Sequence, residues 1–249
     1  MARALALYIA LIAIFYVQTD GFTLYHNWLY VILKTFPCLA LSAIVYLEQT
    51  PLKGEESFTH ALGLLLGACG DFLISLYDGG LVPGAVVFGI GHLLYMSKFV
   101  NRMNQLSKEL SCVIVLYGTL MTHFFIIPQL AAAPISTMIL MIYAVVLCTT
   151  VVLSGSTYFY GTSNKNGKQN GDLIRFAGFG LFFISDSLLL LCHVGKTLPY
   201  HNLAILSTYF ASQYMILAGA TQQLIKGVSN YSKISILKNP TVSINGNKR

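Results

Sequence analysis

Residues 136–154 read STMILMIYAVVLCTTVVLS, a stretch without a charged side chain. An α-helix needs about 20 mostly apolar residues to cross the hydrocarbon core of a bilayer. Inside that core a helix satisfies its backbone hydrogen bonds internally, which an isolated strand does not. This stretch therefore predicts a membrane-spanning helix.

The same pattern recurs along most of the 249 residues. Hydrophobic residues make up 55% of the chain and charged residues 10%, against about 25% charged residues in soluble domains. Apolar stretches bounded by turn signals lie near residues 4–18, 29–48, 58–77, 81–100, 111–130, 136–154, 173–194 and 201–225. We therefore predict an all-α, polytopic bundle of about eight transmembrane helices. It forms one transmembrane domain over 1–225, followed by a polar, basic cytosolic tail over 226–249.

The basic residues predict the orientation of these spans. Nearly all of them fall on one side of the membrane, namely Arg3, Lys53, Lys98, Arg102, Lys108, Lys165, Lys168, Arg175, Lys226, Lys233, Lys238, Lys248 and Arg249. Lys196 falls on the other side, and Lys34 lies within a span. Because positively charged loops stay in the cytosol, both termini are predicted to be cytosolic. The net charge of +6 then reflects membrane orientation and not a nucleic-acid partner.

The first span has a second interpretation. Arg3 followed by the apolar stretch 4–14 also resembles a secretory signal peptide. No small-x-small cleavage pattern precedes Thr19, however. Removal of this span would leave the remaining helices in the same orientation, so the site predicted below does not depend on it.

Three charged side chains lie inside predicted spans and away from the span ends, and they are Lys34, Asp71 and Asp186. A charge at the middle of a bilayer costs about 2.5 to 3.5 kcal/mol on insertion scales, so each of them requires an explanation. Other polar side chains lie at similar depth in neighbouring spans, among them His92, Tyr95, Tyr209 and Gln213. Polar groups from several helices at one depth predict a single intramembrane site.

Helical spacing orients these groups. Side chains three or four residues apart share a helix face, so His92 and Tyr95 point the same way, as do Tyr209 and Gln213. On the third span a stripe of glycines leads up to Asp71, and such stripes let membrane helices pack closely. We therefore expect Asp71 to face the protein and not the lipid.

Two aspartates on different helices suggest acid–base chemistry. The Gly-Asp pair at 70–71 matches the Ser-Asp pair at 185–186 as a weak internal repeat, and parallel repeats would bring the aspartates face to face. Two carboxyl groups in a dry site tend to share one proton, so that one acts as acid and the other as base. This division suits hydrolysis through an oxocarbenium-like state, with Lys34 or His92 holding a phosphate headgroup.

Five short motifs carry a resemblance to a known family. In chain order they are Lys34-x-x-Pro37, Gly70-Asp71, Gly91-His92-x-x-Tyr95, Ser185-Asp186 and Tyr209-x-x-x-Gln213. In order and spacing they resemble the YhhN-type lysoplasmalogenase membrane proteins, over about residues 30–225. The resemblance implies a multispanning enzyme that hydrolyses the vinyl ether bond of lysoplasmalogens. Its products would be a fatty aldehyde and a glycerophospho-ethanolamine or glycerophosphocholine.

The resemblance also implies roles for individual residues. Asp71 and Asp186 would be the catalytic pair, one as general acid and the other as activator of water, in either assignment. Lys34 would face the phosphate, and the other substrate-binding side chains would be His92, Tyr95, Tyr209 and Gln213. No cofactor is implied. The expected partners are the lysophospholipid substrate and membrane lipid, and the lipid chemistry suggests the endoplasmic reticulum.

Two other functions fit parts of the pattern. A metal-dependent lipid hydrolase would hold zinc through histidines and an aspartate, but only His92 and His123 lie well inside spans, and no His-x-x-x-His pair occurs. A transporter or lipid receptor would use Lys34, Asp71 and Asp186 to bind a headgroup or relay protons. Zinc dependence would identify the first alternative, and lysolipid binding without aldehyde release would identify the second.

Overall fold

The structure is a computed structural model that describes residues 1–23, 27–100, 102–161, 170–196 and 198–238, with side chains described as far as residue 222. The described chain forms eight α-helices. They are α1 (Ala2–Gln18), α2 (Trp28–Tyr46), α3 (Gly54–Leu76), α4 (Leu81–Val100), α5 (Lys108–Met121), α6 (Pro134–Tyr160), α7 (Asn170–His193) and α8 (His201–Lys238). The prediction of an all-α helix bundle is confirmed.

Seven helical segments are long and apolar enough to cross a membrane, from α2 to the first part of α8. The apolar helix α1 is shorter, with 17 residues. Its Phe15 is fully buried, and its Tyr8 hydroxyl donates a hydrogen bond of 3.0 Å to the carbonyl of Phe210 in α8. Helix α1 is therefore packed into the bundle. The cytosolic placement of the termini stays a prediction.

Helix α5 has an irregular end. It continues as a π-helical turn, Thr122–Ile126, and then as a 3-10 turn, Ile127–Gln129. Pro128 lies in the second turn and has no amide hydrogen to donate, so a regular α-helix does not run through it. No residue of α5 is buried, and the helix packs mainly on α6. Helix α5 therefore lies at the edge of the bundle.

The interior of the bundle is organised around two sets of packed helices. Helices α7 and α8 form the most extensive pair, and a Cβ on Gly219 of α8 would lie 2.6 Å from the carbonyl oxygen of Gly171. Helix α3 packs between α2 and α4, and α6 packs on α4 and α7. This arrangement leaves Asp71 of α3 only 2% exposed, so it faces the protein as expected.

Most predicted helix ends lie a few residues from those in the structure, and two helices continue clearly beyond their predicted ends. Helix α6 continues to Tyr160 and not only to 154, and the buried hydroxyls of Ser156 and Thr157 are satisfied there by carbonyls of the preceding turn. Helix α8 continues to Lys238, into the segment predicted as a tail. Residues 239–249 lie outside the described chain, so the division at 225 stays a prediction.

Candidate active site

Lys34 and Asp71 form an ion pair inside the bundle. The Nζ atom of Lys34 lies 3.6 Å from Oδ1 of Asp71, and the two side chains are 10% and 3% exposed. The hydroxyl of Tyr209 donates a hydrogen bond of 2.6 Å to the other carboxylate oxygen, Oδ2. Helices α2, α3 and α8 thus contribute one side chain each to a buried polar cluster.

Cys38 extends this cluster. Its Sγ atom lies 3.5 Å from the hydroxyl oxygen of Tyr209, and its side chain is fully buried. Because the hydroxyl hydrogen of Tyr209 points to Asp71, the thiol of Cys38 is the donor in this contact. Cys38 therefore belongs to the same buried cluster as Tyr209 and Asp71.

Asp186 has a separate partner. Tyr143 of α6 donates a hydrogen bond to Oδ2 of Asp186. Among the described contacts each aspartate accepts a hydrogen bond from a tyrosine hydroxyl of its own, and no hydrogen bond joins Asp186 to Asp71. The pairing of the two aspartates in catalysis stays a prediction.

The sequence reasoning missed Tyr143 and Cys38. Tyr143 is the single aromatic residue in the stretch 136–154, and that was the available signal. Cys38 lies four residues after Lys34 and hence on the same helix face. A buried hydroxyl or thiol costs far less than a buried charge, so neither residue stood out by the criterion that selected Lys34.

Asp186 and Tyr143 line a mostly apolar cavity. The cavity has a volume of about 80 Å³ and is bounded by residues of α3 to α7. The π-helical turn after α5 contributes Thr122 and Ile126 to its wall. A carboxyl group in the wall of an apolar cavity suits a ligand with a long hydrocarbon part and one polar bond.

A second, more polar cavity adjoins the first. Lys34 lines it together with side chains from the end of α7 and the start of α8. Three residues, Ile74, Leu81 and Leu189, line both cavities, which are therefore neighbours. Lys34 of the ion pair thus lines a cavity that is next to the cavity of Asp186.

Phe88 of α4 connects the surroundings of the two aspartates. Its ring lines the apolar cavity with Asp186, and its centroid lies 5.9 Å from that of Tyr209, the donor to Asp71. Asp71 itself is not among the lining residues of either cavity described above. Phe88 therefore contacts both the apolar cavity and the tyrosine that donates to Asp71.

Gln213 lies beside the cluster. Its Nε2 atom would be 3.2 Å, and the Tyr209 hydroxyl 3.5 Å, from a Cβ atom placed on Gly67. Gly67 belongs to the glycine stripe of α3, so the absence of its side chain makes room for both polar groups. The structure thus brings together four of the predicted site residues, Lys34, Asp71, Tyr209 and Gln213.

The two predicted residues of α4 lie elsewhere. His92 is 3% exposed and lies among aromatic rings, with its centroid 4.6 Å from that of Phe182 and 6.3 Å from that of Tyr143. Tyr95 lies against His60, with 5.3 Å between ring centroids. Neither Nδ1 of His92 nor the Tyr95 hydroxyl has a hydrogen-bond partner among the described residues. His92 thus neighbours the partner of Asp186, and Tyr95 lies farther along α4.

The metal alternative requires a set of ligands. No group of three or more His, Cys, Asp or Glu side chains within the described ranges is arranged to hold a metal ion. His123, which that alternative would use, lies in the π-helical turn beside Phe124, with 5.1 Å between the ring centroids.

Among the described residues, seven helices long and apolar enough to cross a membrane and a buried lysine–aspartate pair define an integral membrane protein with a polar cluster in the interior of its helix bundle. Residues 29–220 match the YhhN family, and the chain belongs to this family. The resemblance drawn from the five motifs is confirmed.

Two curated relatives carry the name of an enzyme. The chain is 28% identical to lysoplasmalogenase TMEM86A of Bos taurus over 206 aligned residues. The alignment covers 79% of this chain and 80% of the relative. It is 26% identical to lysoplasmalogenase TMEM86B of Sus scrofa over 201 aligned residues, and this alignment covers 79% of this chain and 77% of the relative. No solved structure gives a significant match.

Proposed function

We propose that this chain hydrolyses the vinyl ether bond of lysoplasmalogens within the membrane. Its relatives that are named lysoplasmalogenases support an enzyme of this type. The observation that carries the proposal is Asp186 in the wall of an apolar cavity that adjoins the cavity of Lys34. A lysoplasmalogen has the matching order of groups, with a hydrocarbon chain, a vinyl ether and a charged headgroup.

Asp186 is the general acid in this proposal. It has no cationic partner among the described contacts, and a carboxyl group in an apolar wall is cheaper to keep neutral than charged. Its proton goes to the alkenyl carbon that is not bonded to oxygen. The carbon–carbon double bond is lost, and the neighbouring carbon and the ether oxygen share the positive charge of an oxocarbenium ion.

Asp71 is the carboxylate that activates water. It is held by the ammonium group of Lys34 and the hydroxyl of Tyr209, which fixes its position. Water adds to the oxocarbenium carbon while its proton passes to Asp71, and the negative carboxylate also stabilises the positive charge of that ion. The hemiacetal then breaks its bond to the glycerol oxygen, which takes up the hemiacetal hydroxyl proton. An aldehyde and the glycerophospho compound are released, and transfer of the proton from Asp71 back to Asp186 completes the cycle.

The remaining predicted residues have supporting roles. Gln213 and Tyr209 orient water beside Asp71, and His92 holds the ring of Tyr143. Tyr95 is the predicted substrate contact with the least support, because its neighbour is His60 and not a residue of the cluster. We place the enzyme in the endoplasmic reticulum, and its products are the fatty aldehyde and glycerophospho-ethanolamine or glycerophosphocholine.

Aldehyde release from lysoplasmenyl-ethanolamine by purified protein in lipid nanodiscs tests the proposal. The ester analogue of the same lipid, which lacks the vinyl ether, is the substrate control. We expect Asp71→Asn and Asp186→Asn to lower kcat by about 10²- to 10⁴-fold, the usual contribution of a general acid or base. Asp20→Asn, at an exposed position after α1, is the matched control. Full activity of either site variant would remove that residue from the mechanism.

The Lys34–Asp71 ion pair also fits a receptor or transporter that binds a lysolipid without cleaving it. The same assay separates the two functions. Saturable binding of lysoplasmenyl-ethanolamine without aldehyde release, under conditions in which a lysoplasmalogenase relative is active, would establish the non-catalytic function.

A further inference from the structure

We propose that the apolar cavity receives a hydrocarbon chain sideways from the bilayer, through a seam between α5 and α7. The seam is the line along which Tyr117 of α5 meets Phe183 of α7, with 5.1 Å between their ring centroids. Both side chains line the cavity that contains Asp186. The route rests on the proposed function, for which it supplies the entry of the substrate.

The cavity is too small for a lipid chain in its present shape. Its volume is about 80 Å³. Pockets that bind drug-sized ligands measure about 300 to 1,000 Å³. A long hydrocarbon chain therefore fits only after one wall of the cavity has moved outward, and the wall that moves is the one held by the fewest contacts.

Helix α5 is that wall. It has no buried residue and packs mainly on α6, whereas α3, α4, α6 and α7 each bury residues and pack on at least two helices. Its outer face carries the exposed apolar side chains Val113, Leu116 and Leu120. Lipid chains are as apolar as these side chains, so outward movement of α5 exchanges protein contacts for lipid contacts at low cost.

The two ends of α5 are held differently. At its start the amide of Ser107 donates a hydrogen bond of 2.9 Å to the hydroxyl of Ser156 in α6, and both side chains are buried. A Cβ on Gly155 would overlap the side chain of Leu110, so α5 and α6 approach closely there. The other end runs into the π-helical turn Thr122–Ile126, where the regular helical hydrogen bonds are interrupted. The start of α5 is therefore the pivot, and its second half moves.

The moving half contains the part of α5 that faces the cavity, namely Tyr117, Gly118 and Met121. Across the seam, Ile184 follows Phe183 and is 48% exposed, so the seam lies at the lipid-facing surface of the bundle. Outward movement separates the rings of Tyr117 and Phe183 and joins the cavity to the bilayer. The hydrocarbon chain then enters without crossing water.

Gly118 and Cys148 allow this movement to be locked. A Cβ on Gly118 would lie 3.0 Å from Sγ of Cys148 in α6, which is close enough for a disulfide in Gly118→Cys. In nanodiscs we expect the oxidised variant to bind a fluorescent alkyl ether lysolipid about tenfold more slowly than the reduced variant, because binding requires the open state. A reductant should restore the rate. Gly118→Ala keeps every native cysteine and should not respond to the oxidant.

Tyr117→Ala tests the seam without a cross-link. Removal of this ring should speed the association of the same lysolipid, whereas Leu116→Ala, at a neighbouring residue that is 59% exposed, should leave the rate unchanged. An unchanged rate in Tyr117→Ala would overturn the inference. Equal rates for the reduced and the disulfide-linked Gly118→Cys protein, with the disulfide identified by mass spectrometry, would overturn it as well.

These rates are independent of catalysis. A saturated alkyl ether lysolipid has no vinyl ether to hydrolyse, so its association reports entry into the cavity whether or not the protein is an enzyme. Association that depends on the disulfide, without aldehyde release from a vinyl ether lysolipid by the wild-type protein, would overturn only the proposed function.

Discussion

The ammonium group of Lys34 lies 3.6 Å from the carboxylate of Asp71, and both side chains are buried between α2, α3 and α8. A buried ion pair stabilises a protein little compared with apolar residues of the same size, but loss of one partner leaves an uncompensated charge. The Lys34–Asp71 ion pair therefore matters both for the stability of the bundle and for the chemistry proposed for Asp71.

Replacing Lys34 alone should cost more stability than replacing both partners. Lys34→Met leaves the Asp71 carboxylate without its cation, and we expect a loss of about 3 to 5 kcal/mol. Lys34→Met combined with Asp71→Leu removes both charges and should recover most of that loss. Thermal unfolding in nanodiscs measures the stability, and aldehyde release should be lost in both variants. An active double variant would show that the pair serves packing alone.

Tyr143→Phe removes the hydroxyl that donates to Asp186 while it keeps the ring. We expect kcat to fall about tenfold, because a hydrogen bond to a carboxyl group is worth one to three kcal/mol and holds the acid in position. Tyr117→Phe is the control, since Tyr117 lines the same cavity with its ring against Phe183. Equal effects of the two variants would contradict a specific role of Tyr143.

Ala144→Phe should fill part of the apolar cavity, which Ala144 lines. Because the added ring would occupy space that the hydrocarbon chain needs, we expect kcat/KM for a long-chain lysoplasmalogen to fall about tenfold, while a short-chain substrate is affected less. Val145→Phe places the same ring on a neighbouring residue that is 66% exposed. A chain-length profile that is unchanged in Ala144→Phe would place the hydrocarbon chain elsewhere.

Prolonged treatment of the purified protein with a strong chelator should leave aldehyde release unchanged, because the proposed proton transfers use carboxyl groups alone. The measurement is the initial rate before and after dialysis, with and without added zinc. Activity that disappears with the chelator and returns with zinc would support the metal-dependent alternative and replace the roles assigned to Asp71 and Asp186.

The positions of the helices were predictable because a bilayer permits few structures. A chain segment within hydrocarbon must satisfy its own backbone, so a long uncharged stretch such as 136–154 is a helix almost wherever it occurs. The ends were less predictable. Helix α6 continues beyond 154 because small residues there pack against α7, where a Cβ on Gly155 would lie 2.8 Å from the ring of Phe176.

The candidate site was predictable where burial is expensive. Lys34 and Asp71 stood out because a charge in the membrane requires a partner, and the structure pairs them with each other. Tyr143 and Cys38 did not stand out, because a neutral polar group can satisfy itself within a helix or remain unpaired at smaller cost. The depth of a residue was readable from the sequence, but the partner of each residue was not.

By itself the sequence determined that this protein is a membrane-embedded helix bundle, roughly where its long apolar helices lie and which charges need a partner inside the bundle. Hydrophobic length and the cost of a buried charge are local properties, and they do not depend on how the helices pack. Only the tertiary structure decided that Asp71 binds Lys34 and Tyr209 while Asp186 binds Tyr143. A contact between two helices depends on the shapes of both helix surfaces, for example the glycine stripe of α3 and the ring of Phe88 on α4. The sequence of one span describes only one of the two surfaces.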